Sequence, residues 1–224
     1  MVEVIPAIMP KTLDDLSSSV NKVKEFVSYV QVDVMDDIFV GNKSFPYSDW
    51  NNFQEILKKD IGLPSWQDIN YEFDLMIKNP SQILDGLINL GAQRIIFHIE
   101  SLSKEELRTL IDKCKVSDIE VGIAINNETP IENINDFASD INFVQLMGIA
   151  RIGFQGEPFD ERVIPRIKKI KENYPDLTIS IDGGVNFDTA EDLLRAGANR
   201  LVSGSAIFES GDIEGAIKEL SSFV

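Results

Sequence analysis

The feature of this sequence that most restricts its fold is a regular alternation of short apolar runs with amphipathic segments of helical period. Eight strand–helix units fit into the 224 residues, at about 28 residues per unit. Mostly apolar strands are expected where helices cover a parallel sheet. The pattern predicts a single (β/α)₈ barrel, or TIM barrel, as one domain over residues 1–224.

An internal repeat supports this prediction. The segment LINLGAQRIIFH at residues 87–98 resembles LLRAGANRLVSG at residues 193–204. Gly91 and Gly197 occupy equivalent places, 106 positions apart. Because that separation is close to four units, the repeat relates the fourth strand to the eighth.

Capping residues indicate where several helices begin. Thr12 is expected to cap the first helix, and Ser103 with Glu106 forms the pattern of a capping box. Ser48 is expected to cap a short second helix, and Pro130 to begin the helix after strand five.

Composition excludes several classes of function. The formal net charge of −16 leaves no basic face for a nucleic acid. No apolar run is long enough to span a membrane, and the N-terminus lacks the features of a signal peptide, so we expect a cytoplasmic protein. With Cys114 as the only cysteine, a disulfide framework is excluded. His98 is the only histidine, which excludes a His-rich zinc site and predicts a hydrogen-bonded core residue.

The site of such a barrel lies at the C-terminal ends of its strands. The residues expected there are Ala7, Asp33, Asp74, His98, Asn126, Met147, Asp182 and Ser205. Asp33 stands between two valines in VQVDVMDD, and Asp182 directly precedes two glycines. An unpaired buried charge is costly, so these two carboxylates are predicted to be a functional acid/base pair. Asp74 has the alternative of facing solvent.

Methionines and glycines complete the predicted pocket. Ala7, Met35, Met76 and Met147 are expected to give it apolar walls, although methionines also commonly fill a core. Three consecutive glycine-bearing loops follow strands six to eight, where backbone N–H groups can bind phosphate. The predicted phosphate-binding residues are Gly153, Phe154, Gln155, Gly156, Gly183, Gly184, Gly204 and Ser205.

Six motifs resemble the ribulose-phosphate 3-epimerase family in order and approximate spacing over almost the whole chain. They are VDVMDxxFVxN (32–42), LMIxNP (75–80), FHIE (97–100), GFxG (153–156), IDGGVN (181–186) and AGA…GSAIF (196–208). The resemblance implies a barrel of the ribulose-phosphate-binding type. It implies the interconversion of ribulose 5-phosphate and xylulose 5-phosphate through an enediolate. Asp33 would accept the proton and Asp182 would donate one, with the roles exchanged in the reverse direction.

The metal ligands of the family are altered in this sequence. The family pattern has two aspartates and two histidines, and here Gln31 and Asp74 stand at the histidine positions. An oxygen-only set of Gln31, Asp33, Asp74 and Asp182 would suit Mg²⁺ or Mn²⁺ better than Zn²⁺ or Fe²⁺. Without a metal, the three carboxylates would repel, and at least one should have a raised pKa. No organic cofactor is implied.

Three functional hypotheses remain open from the sequence. The first is a sugar-phosphate 3-epimerase with altered metal dependence, the second an epimerase of another ketose phosphate, and the third a non-catalytic phosphosugar-binding descendant. Related decarboxylases and synthases carry a D-x-K-x-x-D motif, and the region around Asp33 has no lysine. The expected partner is a small phosphorylated sugar, and a homo-oligomer is left open. The segment 37–47, which should cap the pocket, is the least similar to the family.

Overall fold

Eight parallel strands close into one barrel in the computed structural model, which describes residues 2–59 and 61–223. Each strand pairs with the next in sequence, and β8 pairs with β1 to complete the ring. The strands are β1 (Glu3–Ile8), β2 (Tyr29–Met35), β3 (Asn70–Met76), β4 (Arg94–His98), β5 (Glu120–Ile125), β6 (Phe143–Met147), β7 (Thr178–Asp182) and β8 (Arg200–Ser203). The predicted barrel is confirmed.

Helices cover the outside of the barrel. They are α1 (Leu13–Val23), α2 (Trp50–Lys58), α3 (Ser81–Asn89), α4 (Lys104–Val116), α5 (Val163–Asn173), α6 (Ala190–Ala196), α7 (Ser205–Phe208) and α8 (Ile213–Ser222). Within residues 2–59 and 61–223, no helix is both long enough and apolar enough to cross a bilayer.

The connection from β5 to β6 differs from the prediction. Pro130 precedes a short 3₁₀ turn, Ile131–Ile134, and no α-helix follows it before β6. Residues 126–142 are rich in Asn, Asp and Ser, whose side chains compete with helical hydrogen bonds. Ile134 and Phe137 are nevertheless fully buried, so the segment 131–137 covers the barrel as a helix would.

Two of the three predicted caps form. Thr12 and Asp15 make a reciprocal capping box at α1, and Ser103 and Glu106 make another at α4. Ser48 does not cap α2, because it lies within a 3₁₀ turn and its hydroxyl donates to the carbonyl of Lys11.

A network of charges closes the barrel at the start of the strands. Arg94 Nη1 lies 3.1 Å from Glu72 Oε2, and Arg94 Nε lies 2.9 Å from Glu120 Oε2. The same guanidinium stacks 3.5 Å above the ring centre of Tyr29. Arg200, the counterpart of Arg94 in the internal repeat, pairs with Glu3 at 2.8 Å. The opposite end of the barrel remains open for a site.

Candidate active site

Strand alternation determines which side chains enter the barrel. In β2, Val30, Val32 and Val34 pack outwards in the core beneath the helices. Successive residues point to opposite faces, so Gln31, Asp33 and Met35 point into the barrel. The same alternation in β3 points Glu72, Asp74 and Met76 inwards. In both strands the inward row runs from polar residues to a methionine at the open end.

Three inward-facing carboxylates meet near that end. Asp33 and Asp74 are direct neighbours in the β2–β3 register, and Asp182 ends β7. One oxygen from each lies within 4.8 Å of one from each of the others, and all three residues are buried. Asp74 is fully buried, so the alternative that it faces solvent is wrong.

Two glutamine amides bridge these carboxylates through hydrogen bonds. Gln31 Nε2 donates to Asp33 Oδ1 at 2.8 Å and to Asp182 Oδ2 at 3.0 Å. Gln145 Nε2 donates to Asp74 Oδ2 at 3.2 Å and to Asp182 Oδ2 at 3.4 Å. Gln145 was missed from the sequence, although a polar residue two places before Met147 in a buried strand was a usable signal.

The environment favours protonated carboxyl groups. Burial, reinforced by the charges of Asp182 and Asp74, raises the pKa of Asp33 well above its ordinary value. Burial and the charge of Asp74 also raise the pKa of Asp182. The hydrogen bonds from Gln31 oppose both shifts. Neighbouring carboxyl groups that cannot all ionise together can supply an acid and a base in one site.

A cavity of about 220 Å³ opens above the carboxylates. Asp33 and Asp182 line it, whereas Gln31 and Asp74 are fully buried and are not part of its wall. The other predicted residues in its wall are Ala7, Met76, Met147, Gly153, Phe154, Gln155, Gly156, Gly183, Gly184, Gly204 and Ser205. The acid/base pair and the three glycine-bearing loops therefore share one cavity.

Met35 was predicted to line this cavity, but it lies outside the cavity wall. It is fully buried, and its Sδ would lie 3.3 Å from a Cβ placed on Gly153. Val40 also packs against Gly153, and Asn42 Nδ2 donates to the Gly153 carbonyl at 2.9 Å. The loop after β2 thus supports the loop after β6, and Met35 fills the space beneath their contact.

Seven further residues line the cavity without having been predicted. They are Met9, Ile149, Glu157, Val185, Asn186, Val202 and Ser203. Asn186 belongs to the motif IDGGVN and was therefore within reach of sequence analysis. The others depend on how the loops fold back over the strand ends.

Close packing explains why the loops after β6 and β7 need glycine where they meet. Gly184 has a φ of 68°, and a Cβ there would lie 3.0 Å from the carbonyl oxygen of Gly148. A Cβ on Gly148 would lie 2.2 Å from the carbonyl oxygen of Gly183. Side chains on either loop would force the ends of β6 and β7 apart.

The carboxylate cluster fits a hard divalent cation. Such ions prefer carboxylate and amide oxygens. Asp33, Asp74 and Asp182 can each offer one oxygen, and Gln31 Oε1 is buried with no hydrogen-bond partner in residues 2–59 and 61–223. Among the described residues, this is the group of carboxylates whose spacing could hold a metal ion.

Comparison with known sequences gives one family. Residues 3–208 match the model of the Ribulose-phosphate 3 epimerase family. The ribulose-phosphate 3-epimerase of Bacillus subtilis is 30% identical over 226 residues, covering 98% of each chain. That of Methanocaldococcus jannaschii is 31% identical over 225 residues, covering 98% of this chain and 90% of the relative.

Solved structures with this fold include enzymes of other names. A 3-hexulose-6-phosphate synthase from Salmonella typhimurium has a TM-score of 0.72 at 15% identity, covering 99% of this chain and 97% of its own. The structure of KGPDC from Streptococcus mutans has a TM-score of 0.69 at 14% identity, covering 99% of this chain and 96% of its own. At such low identity these likenesses establish the barrel alone.

Proposed function

Because this chain belongs to the ribulose-phosphate 3-epimerase family, we propose that it is a sugar-phosphate 3-epimerase that interconverts ribulose 5-phosphate and xylulose 5-phosphate. The observation that carries the proposal is the pairing of Asp33 and Asp182. They lie in the wall of one cavity, on β2 and β7, and are bridged by the amide of Gln31. An epimerase needs an acid and a base with access to both faces of one carbon.

The phosphate group would bind the glycine-bearing loops. Gly153–Gly156, Gly183, Gly184 and the pair Gly204–Ser205 lie in the cavity wall, where backbone N–H groups can donate to an anion. With the phosphate there, the sugar chain would extend towards Asp33 and Asp182. The size of the cavity, about 220 Å³, suits one small phosphorylated sugar.

The reaction removes one proton from a carbon of the sugar and adds one proton to the same carbon. Asp33 would remove the proton from the carbon next to the carbonyl, and the C–H electron pair would move to form the enediolate. Asp182 would deliver a proton to the opposite face of the same carbon, which inverts its configuration. The reverse reaction would exchange the two roles, so the raised pKa of each carboxyl group serves one direction.

The surrounding residues would hold this pair in place. Gln31 fixes both carboxylates, while Met76 and Met147 provide apolar walls that limit water. A cation such as Mg²⁺ or Mn²⁺, held by Asp33, Asp74, Asp182 and the amide oxygen of Gln31, would offset the negative charge of an enediolate.

Solvent exchange tests the proposal directly. In D₂O the protein should incorporate deuterium at carbon 3 of ribulose 5-phosphate as it forms xylulose 5-phosphate. Asp33→Asn and Asp182→Asn should each slow this by about 10²–10⁴-fold, because one face of the carbon loses its acid or base. Asp118→Asn is a matched control, since this exposed residue lies outside the cavity at the opposite end of the barrel, and it should keep the wild-type rate.

Two results would contradict the proposal. A loss below about tenfold in both Asn variants would mean that these carboxylates do not carry the chemistry. Absence of exchange into any pentulose or hexulose phosphate, by a wild-type protein that still binds them, would favour a binding protein. Exchange into a hexulose phosphate alone would instead identify another ketose phosphate as the substrate.

A further inference from the structure

The only histidine of the chain lies against the carboxylate cluster. His98 Nε2 is 3.0 Å from Asp74 Oδ1, and both side chains have 0% exposure. Neither ring nitrogen of His98 makes an aligned hydrogen bond within the described part of the chain, so this is a close polar contact of bent geometry. His98 is therefore a core residue, as expected, but its polar contact is with the site.

The barrel register explains this meeting. Asp74 pairs with Ile96 on β4, and His98 lies two residues beyond Ile96 on the same inward face. The ring of Phe39 packs against the ring of His98, with 5.6 Å between their centres. His98 is thus confined between an aromatic ring and a carboxylate at the end of β4.

Both oxygens of Asp74 have a polar neighbour. Gln145 Nε2 donates to Oδ2 at 3.2 Å, and His98 contacts Oδ1. Asp74 does not line the cavity, so it does not face the sugar directly. His98 lies outside the group of side chains that come within ligand spacing of one another, which consists of Asp33, Asp74 and Asp182. It therefore stands behind a ligand and is not itself one.

We propose that His98 is the positioning residue of the cation site, which it serves by holding the carboxylate of Asp74. The proposal rests on the cation site described under the proposed function. A carboxylate at the family's histidine position can rotate unless a neighbour orients it, and outer groups that orient metal ligands typically change metal affinity by about 10–100-fold. His98 would thus orient the carboxylate that stands in place of a histidine ligand.

Mn²⁺ binding to the full-length protein tests this role without any measurement of activity. His98→Asn should weaken the affinity for Mn²⁺, titrated by electron paramagnetic resonance, by about 10–100-fold. His98→Gln should bind within about fivefold of wild type, because its amide nitrogen can take the place of Nε2 whereas that of Asn is too short. Ile96→Val is a control for packing on the same strand and should bind as wild type.

A double-mutant cycle separates positioning from a general effect on the core. Asp74→Asn removes the carboxylate that His98 is proposed to hold, so His98→Asn should weaken Mn²⁺ binding little further in that background. Equal losses in both backgrounds would overturn the proposal. So would wild-type affinity in His98→Asn, equal affinities in the Asn and Gln variants, or a wild-type protein that does not bind Mn²⁺. Whatever the result of the Mn²⁺ titrations, deuterium exchange by the wild-type protein tests the epimerase proposal separately.

Discussion

At the scale of single residues, an amide and a carboxylate in place of two imidazoles change the cation that the site should prefer. Gln31 and Asp74 offer oxygen where the family pattern has nitrogen, and oxygen ligands favour Mg²⁺ and Mn²⁺ over Zn²⁺. Chelation should therefore abolish deuterium exchange. Mg²⁺ or Mn²⁺ should restore it better than Zn²⁺ does.

Restoring the histidines provides the matched variant. Gln31→His combined with Asp74→His should shift the preference towards Zn²⁺, so that the ratio of Zn²⁺ affinity to Mg²⁺ affinity rises relative to wild type in a competition titration. An unchanged ratio of Zn²⁺ to Mg²⁺ affinity in the double variant would show that these two residues do not determine the preference. Undiminished exchange after complete chelation would remove the metal from the reaction altogether.

Glu72 carries a second effect at this scale, on stability. Burial raises its pKa to about 7 from an ordinary value of 4.5, although Arg94 acts in the opposite direction. Between these values the folded chain binds a proton that the unfolded chain has released. The resulting stabilisation is complete below about pH 4.5 and is lost as the pH rises through about 7.

Urea unfolding with chelator present should reveal this dependence. From about pH 5.5 to about pH 8, Glu72→Gln should lose about 2 kcal/mol less unfolding free energy than wild type does. Glu120→Gln is the control, because this carboxylate also contacts Arg94 but its side chain is 45% exposed. An identical pH dependence in wild type and Glu72→Gln would show that Glu72 titrates at its ordinary value.

At the scale of strands and loops, sequence analysis predicted local structure correctly where the sequence of one strand alone determines it. The alternation in VQVDVM is sufficient to place Asp33 inside a barrel, and the glycines after β7 are sufficient to identify a tight loop. Its predictions were wrong where contacts between two elements determine the position or the hydrogen bond of a side chain. Met35 ends its strand as expected, but the loop with Val40 after β2 and the loop with Gly153 after β6 cover it. Ser48 has the chemistry of a cap, but the carbonyl of Lys11 takes its hydroxyl.

Contacts across the barrel were also out of reach of sequence analysis. His98 and Asp74 lie 24 positions apart on neighbouring strands, and their contact depends on the exact β3–β4 register. Gln145 reaches Asp74 across the interior from β6. A pattern of types along one strand predicts the face on which a residue lies, but it does not predict the partner on another strand.

The three loops after β6, β7 and β8 can be tested as one anion site. Ser205 lines the cavity at the start of α7, and Ser205→Asp would add a carboxylate there. Like-charge repulsion should weaken ribulose 5-phosphate binding by about tenfold or more, measured by calorimetry. Ser205→Asn has the same shape without the charge and should bind within a few-fold of wild type.

Ser205 is a better place for this test than Gly184. The φ of 68° and the nearby Gly148 carbonyl mean that any side chain at Gly184 would also strain the loop. Equal affinities in the Asp and Asn variants of Ser205 would place the phosphate elsewhere in the cavity.

At the scale of the whole molecule, the net charge of −16 opposes the approach of an anionic substrate. The donors of the glycine-bearing loops act only at short range, so the approach itself is dominated by repulsion. Salt screens such repulsion over a Debye length of about 10 Å at 0.1 M ionic strength. Raising KCl from about 20 to about 200 mM should therefore increase kcat/KM several-fold, mainly through a lower KM.

Charge variants at the two ends of the barrel sharpen this prediction. Glu157 lines the cavity, so Glu157→Gln should raise kcat/KM at low salt and reduce the salt dependence. Asp118 precedes β5 at the opposite end of the barrel, and Asp118→Asn should change neither quantity appreciably. Stopped-flow or coupled initial-rate measurements of kcat/KM across the salt series test these predictions. A kcat/KM that falls with salt in the wild type would mean that a local positive field at the cavity mouth outweighs the charge of the whole chain.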